Sequence, residues 1–313
     1  MNTALTLITI LLPLGYAAVW ADYLWLFYTD HPWARRTASR LAGSIVLLHM
    51  AAMVLRAVGL KRLPMGTQSE FLAALALALL GTYLVLERRL RAKQTGFLTT
   101  GAAALLMLLS SLAGPGTANT SPLLHDPGFA GHAVLVLLAY TALSLSFLYA
   151  ILYLVLARQL MRRQFGLLFR RLPALETLER MSVVAVEMGV PLLFLALALG
   201  HLWMYNLADR VDPKMAATLT PWDPKILLSW VIFLAYTAGL VGHRFWGWRG
   251  RRMNIMAVAA YIAVVLGMGA IHHFFPTFHK FPTLDAAVAP DPLERSLTRH
   301  AATGAPLETR EWR

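Results

Sequence analysis

Ten histidines, nine tryptophans and thirteen methionines, with no cysteine, are the side chains through which this 313-residue chain could handle a metal or a redox group. The lack of cysteine excludes disulfides, thiolate metal sites, iron–sulfur clusters and a cysteine nucleophile. The histidines are therefore the first place to look. His125 and His132 fall close together, His272 and His273 are adjacent, and His201 and His49 stand alone in apolar sequence. Other polar or aromatic residues punctuate the same apolar stretches: Arg56, Glu70, Trp203 and the turn Pro221-Trp222-Asp223-Pro224-Lys225. An imidazole can ligate a metal, an indole offers a flat face, and an arginine can pair with an anion. A lone tryptophan or histidine at a membrane surface also serves as a simple anchor.

The elements that position these groups follow from composition. The chain is 58% hydrophobic and 14% charged, whereas a soluble domain carries about a quarter charged residues. Eight apolar spans are predicted, at 4–27, 41–58, 69–87, 96–114, 131–157, 182–205, 225–242 and 253–273. Each is long enough to cross about 30 Å of hydrocarbon as a helix. Backbone polar groups inside a bilayer must pair within the segment, so the expected fold is all-α, a polytopic bundle of about eight transmembrane helices. The first span lacks a basic leader and a clean cleavage site, so it is read as a span and not as a removed signal.

Basic residues alternate between successive loops. Seventeen lie in the stretches around Arg35–Arg40, Arg88–Lys93, Arg158–Arg180 and Arg244–Arg252, and five in the intervening ones. The positive-inside rule then predicts that the seventeen are cytoplasmic and both termini non-cytoplasmic. The formal net charge of +12 is thus a topology signal, and a nucleic-acid partner is rejected. Residues 158–176, with Met161, Phe165, Leu168 and Leu172 at helical spacing, are expected to form one helix lying on the cytoplasmic interface. The membrane domain is expected to occupy residues 1–275. Residues 276–313, rich in proline, alanine and charge, are expected to be a disordered outer tail.

This topology sorts the histidines by depth. His31 and His243 are expected to be solvated cytoplasmic loop residues, and His279 and His300 to lie in the outer tail. His125, His132, His201, His272 and His273 gather at the outer face, and His49 lies near the middle of its span. Two helix-borne imidazoles at one depth, flanked by cations and indoles, fit a flat, anionic, iron-bearing ligand. Within the bilayer, His49 and Glu187 are costly and hence suspect. His49 is either a lower ligand or a helix-to-helix hydrogen bond. Glu187 is either structural or part of a proton path near the expected kink at Pro191.

At these residues the chain resembles the cytochrome c assembly membrane-protein family (CcsA/CcmC/HemX-like), and within it the HemX-like branch. The resemblance runs over about residues 40–275. It rests on Arg56…Leu63-Pro64…Ser69-Glu70-Phe71-Leu72, on Gly131-His132 with Tyr140, and on Leu172-Pro173 through Arg180. It continues in Gly189-Val190-Pro191-Leu192-Leu193 with Gly200 and Trp203, in Trp222-Asp223-Pro224-Lys225 with Trp230, in Gly247-Trp248-Arg249-Gly250-Arg251-Arg252, and in His272. It implies haem b held at the outer face during cytochrome c maturation. His132 and His272 would be its axial ligands, and Trp222, Asp223 and Arg56 would surround it. His273, His201, His49 and His125 are alternates.

The chain departs from the family pattern in places. The stretch from Met204 to Thr220 lacks the upstream Trp-Gly pair and further tryptophan, and Ile226 replaces a glutamate. Lys61-Arg62 stands where the family has a membrane histidine. These departures favour a HemX-like accessory protein over a complete haem lyase (cytochrome c synthase), and leave enzymatic activity open. The expected partners are membrane lipid, apocytochrome c and other cytochrome c maturation proteins, in a bacterial inner membrane. The alternatives are a transporter or export accessory without a stable cofactor, and a membrane regulator of haem biosynthesis.

Overall fold

The structure, a computed structural model, describes residues 2–113, 125–208 and 220–275. For residues 2–10 and for His272 it describes the backbone alone. The expected tail 276–313, with His279 and His300, lies outside the described residues.

Among the described residues every regular element is a helix. They are α1 (Asn2–Thr29), α2 (Pro32–Leu60), α3 (Gln68–Leu90), α4 (Gly96–Leu112), α5 (Pro127–Met161), α6 (Leu167–Arg171), α7 (Leu175–Ala208), α8 (Pro224–Phe245) and α9 (Gly250–Phe274). Six of these, α2, α3, α5, α7, α8 and α9, are long and apolar enough to cross a membrane. α4 is a shorter apolar helix of 17 residues, and α1 spans 28. Each of the eight expected spans coincides with a helix.

Single residues set the ends. Asp126 before Pro127 and Asp223 before Pro224 start α5 and α8 in the same way. Each carboxylate accepts from backbone N–H groups of the first turn, and proline supplies a first helical residue that needs no N–H partner. Thr67 and Glu70 close a reciprocal capping box on α3. α2 and α3 end on Lys61 and Arg91, both at positive φ.

Three expectations about the connections change. α2 begins at Pro32 and not near residue 41, so Arg35, Arg36 and Arg40 ride on its first turns. His31 is exposed in the α1–α2 loop, as expected, and there caps α2, whereas His243, also expected to be a solvated loop residue, lies half-buried in the last turn of α8. The His31 ring accepts from Trp33 N–H at 3.3 Å and stacks on Trp25. His243 Nδ1 lies 2.8 Å from Trp248 O. The expected single helix over 158–176 is broken: α5 runs on to Met161, Arg163 turns the chain at positive φ, and α6 holds five residues. Gly166 and Pro173 explain the break, one by entropy and the other by its missing donor.

The helices pack as two groups. α1–α4 contact one another, as do α5, α7, α8 and α9, and α3 joins the groups through α5 and α7. Between apolar helices in lipid, close approach of small residues replaces the hydrophobic effect as the driving force. Ala34, Ala38 and Ala42, four residues apart on α2, are fully buried. Gly96 lets α4 sit against the Tyr23 ring and the Tyr83 hydroxyl, both of which a β-carbon there would overlap.

The alternation of basic stretches corresponds to two ends of the bundle. Residues from the α1–α2 corner, the α3–α4 junction and α6 line one cavity. Gly250 N–H, at the start of α9, donates to Glu179 on α7 at 2.7 Å. This is the basic end. At the other, His125 Nδ1 lies 2.8 Å from Lys61 O, and Ser69 and Ser110 exchange hydrogen bonds between α3 and α4. This is the histidine end.

Candidate functional site

His132 sits in the second turn of α5, and its Nδ1 is 2.8 Å from the Ala196 carbonyl on α7. A carbonyl only accepts, so Nδ1 carries the proton and Nε2 is the nitrogen with a lone pair. The ring packs on Gly200, where a β-carbon would fall 2.7 Å from Nδ1. Glycine is therefore required at 200 for the imidazole to reach its carbonyl. A hydrogen bond of this kind orients a metal-ligating histidine and raises its basicity.

His201 follows Gly200 directly, so the structure brings these two histidine positions together across α5 and α7. The His201 Nδ1 is 2.8 Å from Leu197 O, one turn back, and again Nε2 is left unprotonated. Its ring meets Trp230 of α8 edge-on at 5.9 Å, and Trp230 in turn meets Phe233 at 5.7 Å. Trp203 covers the opening of α5, lying on Phe129 at 5.5 Å and close against Gly128. Its Nε1–H is buried and meets no acceptor among the described residues. A buried donor left open in this way costs about 1–3 kcal/mol.

The other expected site residues are placed as follows. Trp222 is 75% exposed on the turn before α8. Asp223 is buried and caps α8 through Lys225 N–H at 2.8 Å, which fixes that turn. Arg56 is half-buried on α2. His125 is exposed and fastens the start of α5 to the end of α2. His273 is exposed in the last turn of α9. His272 is in that turn too, but its side chain lies outside the described residues. α9 packs on α5, the helix that carries His132.

His49 is buried between α1 and α2, with Nδ1 2.9 Å from Tyr16 Oη. Glu187 is exposed on α7. α7 continues as helix through Pro191. Sequence reasoning missed Glu87, which is buried at the basic end of α3 and accepts from Tyr23 and Ser39. It also missed the Asp22–Thr37 hydrogen bond of 2.8 Å. Glu87 adjoins Arg88 and Arg89 in the sequence and so reads as part of a charged end, whereas Asp22 is a single acid within an apolar run.

Comparison with known proteins gives the chain its relatives. Residues 38–273 match the cytochrome C assembly protein family. The chain is 34% identical over 106 residues to Protein HemX of Bacillus subtilis, covering 34% of this chain and 36% of HemX. It is 24% identical over 252 residues to cytochrome c biogenesis protein CcsA of Microcystis aeruginosa, covering 64% and 74%. It is 30% identical over 142 residues to inner membrane protein YpjD of Escherichia coli, covering 45% and 49%. The aligned part thus spans about a third of HemX and about half of YpjD. With its apolar helices and these relatives, the chain is a multi-pass inner-membrane protein. The match covers most of the chain, α2 through α9, and the chain belongs to the cytochrome c assembly family.

Proposed function

We propose that this protein acts in cytochrome c biogenesis by holding haem b at its histidine end and presenting it to an apocytochrome c or another maturation protein. In this reading the histidine end faces away from the cytoplasm, as the distribution of basic residues suggests. One observation carries the proposal: the hydrogen bond from His132 Nδ1–H to Ala196 O, which presets Nε2 as a ligand.

Haem is the cargo, and when bound it supplies an iron with two open axial positions and two carboxylates. His132 and His272 would hold the iron through their imidazole nitrogens, with His201, His273, His125 and His49 as alternates. Trp203 Nε1–H, which meets no acceptor among the described residues, donates to an anionic edge. Arg56 offers charge on the same end, and Trp222, held by the Asp223 cap, offers an exposed indole face. The thioether-forming cysteines come from the client, consistent with a chain that has none.

The test is the absorption spectrum of detergent-purified protein, with and without dithionite. A Soret band is expected, diminished in His132→Ala and in His272→Ala. If His201→Ala diminishes it and His272→Ala does not, the second ligand is reassigned. A spectrum unchanged in all three variants overturns the proposal. A transport path through Glu187 gains no support from that residue, because its side chain is on the outside of the bundle.

A further inference from the structure

The basic end holds a cavity of about 600 Å³, within the range of small-molecule sites. Six cations line it: Arg35 and Arg36 from the start of α2, Arg91 and Lys93 from the α3–α4 junction, and Arg170 and Arg171 from α6. Three stretches far apart in sequence are folded together to form this rim. One carboxylate, Asp30, faces them, and it is engaged by Arg35 Nε–H at 3.0 Å. Lys93 donates to Arg35 O at 2.7 Å. Among the described residues Arg36, Arg91, Arg170 and Arg171 meet no carboxylate. Cations gathered without counter-charge repel, so the arrangement gains stability when an anion enters.

Two further features indicate what carries the anion. The cavity has an apolar side, formed by Leu26, Phe27 and Leu172. The α1–α2 corner that borders it displays Trp25 and Trp33, both exposed and 5.6 Å apart, and the α6 side displays exposed Phe165 and Leu167. Exposed indoles and apolar residues beside arginines mark the level of lipid headgroups.

We propose that this cavity is a binding site for a phosphate-ester anion, carried there by the headgroup of an anionic phospholipid. Guanidinium forks pair with phosphate oxygens two bonds at a time. Basic pockets between helices at this depth suit such headgroups. The apolar side accommodates the glycerol and the first acyl carbons. The site is at the opposite end of the bundle from the histidines and does not depend on haem.

The experiment compares the full-length protein with Arg36→Gln/Arg171→Gln. A control, Arg158→Gln/Arg162→Gln, removes the same charge outside the cavity. Native mass spectrometry reads retention of phosphatidylglycerol or cardiolipin against phosphatidylcholine, and calorimetry reads binding of inorganic pyrophosphate. The cavity variant is expected to lose about tenfold in affinity per arginine, and the control little. Anionic lipid retained by the wild type and control but lost from the cavity variant supports the headgroup. Pyrophosphate binding with the same pattern, without lipid retention, supports the site and assigns it a free phosphate ester. Equal binding by the cavity variant and the control, or no anion bound in either arm, overturns the proposal. The Soret spectrum stays the same in every arginine variant, so this result is separable from the haem reading.

Discussion

In α1–α4 the buried charged groups are paired side chain to side chain, whereas in α5 and α7 the histidines at the bundle end are paired ring to backbone. Arg62 holds Glu70 with two hydrogen bonds at 2.9 and 3.1 Å, and both side chains are about nine-tenths buried. Glu87 collects Tyr23 and Ser39, Asp22 collects Thr37, and His49 meets Tyr16. Most of these bonds join two helices, so they fix one helix against another. His132 and His201 instead each donate to a carbonyl, which fixes the ring and keeps its second nitrogen for something else. The first arrangement suits a scaffold and the second a ligand site.

The largest effect expected from breaking this contrast is at Arg62. Arg62→Ala strands the Glu70 carboxylate in a nearly dry position, where it also accepts from Gly66 and Thr67 N–H. Removing one partner of a buried pair costs about 3–5 kcal/mol. Thermal unfolding in detergent should fall sharply, while the protein that stays folded keeps the haem affinity of the wild type. A loss of haem binding at unchanged stability would put Arg62 in the site and not in the scaffold.

Gly200→Ala is the intermediate case, and it acts on the other half. The new methyl lies 2.7 and 2.8 Å from two atoms of the His132 ring, so the ring must move away from Ala196 O. Overpacking costs about 1–3 kcal/mol, but alanine in place of glycine inside a helix returns about 1 kcal/mol. Stability should therefore change little. Haem affinity should fall about 10–100-fold, the usual consequence of losing a bond that orients a ligand. Titration of apoprotein with haem, followed at the Soret band, reads this directly. Wild-type affinity in Gly200→Ala would mean that the His132 orientation is irrelevant.

The same contrast explains what could be read from sequence. Scaffold elements were legible because they are periodic or local. Apolar runs gave the eight spans, and the turn Pro221-Trp222-Asp223-Pro224-Lys225 gave the start of α8, whereas the start of α5 at Pro127 precedes the expected 131. The sidedness of the basic residues appears as the six cations around one cavity. The connections were misread where one residue decides: Pro32 pulls the start of α2 back by nine residues, and Gly166 interrupts what looked like one amphipathic helix. At the proposed site, His132 was singled out through the resemblance carried by Gly131-His132. Its partner Ala196 O was not, because any residue type can offer a carbonyl. The significance of Gly200 was equally hidden, since its role is to be absent as a side chain. Glu87 was missed because its partners Tyr23 and Ser39 come from helices 64 and 48 residues away in the chain.

Trp203→Phe is the smallest change, and it is the one that best separates the two kinds of polar group. Phenylalanine keeps the aromatic contact with Phe129 and removes the buried Nε1–H, which meets no acceptor among the described residues. If Trp203 belonged to the scaffold, losing its donor would cost stability, as Tyr23→Phe would beside Glu87. An open buried donor has the opposite sign: its removal is neutral or stabilises by about 1 kcal/mol once the smaller ring is allowed for. Haem affinity should move the other way and weaken by about tenfold, because a hydrogen bond to a charged acceptor is worth about 1.5–3 kcal/mol. Stability and binding therefore change in opposite directions at one position. A parallel loss of both would place Trp203 with the scaffold, and the histidine end would then have to hold its ligand by the imidazoles alone.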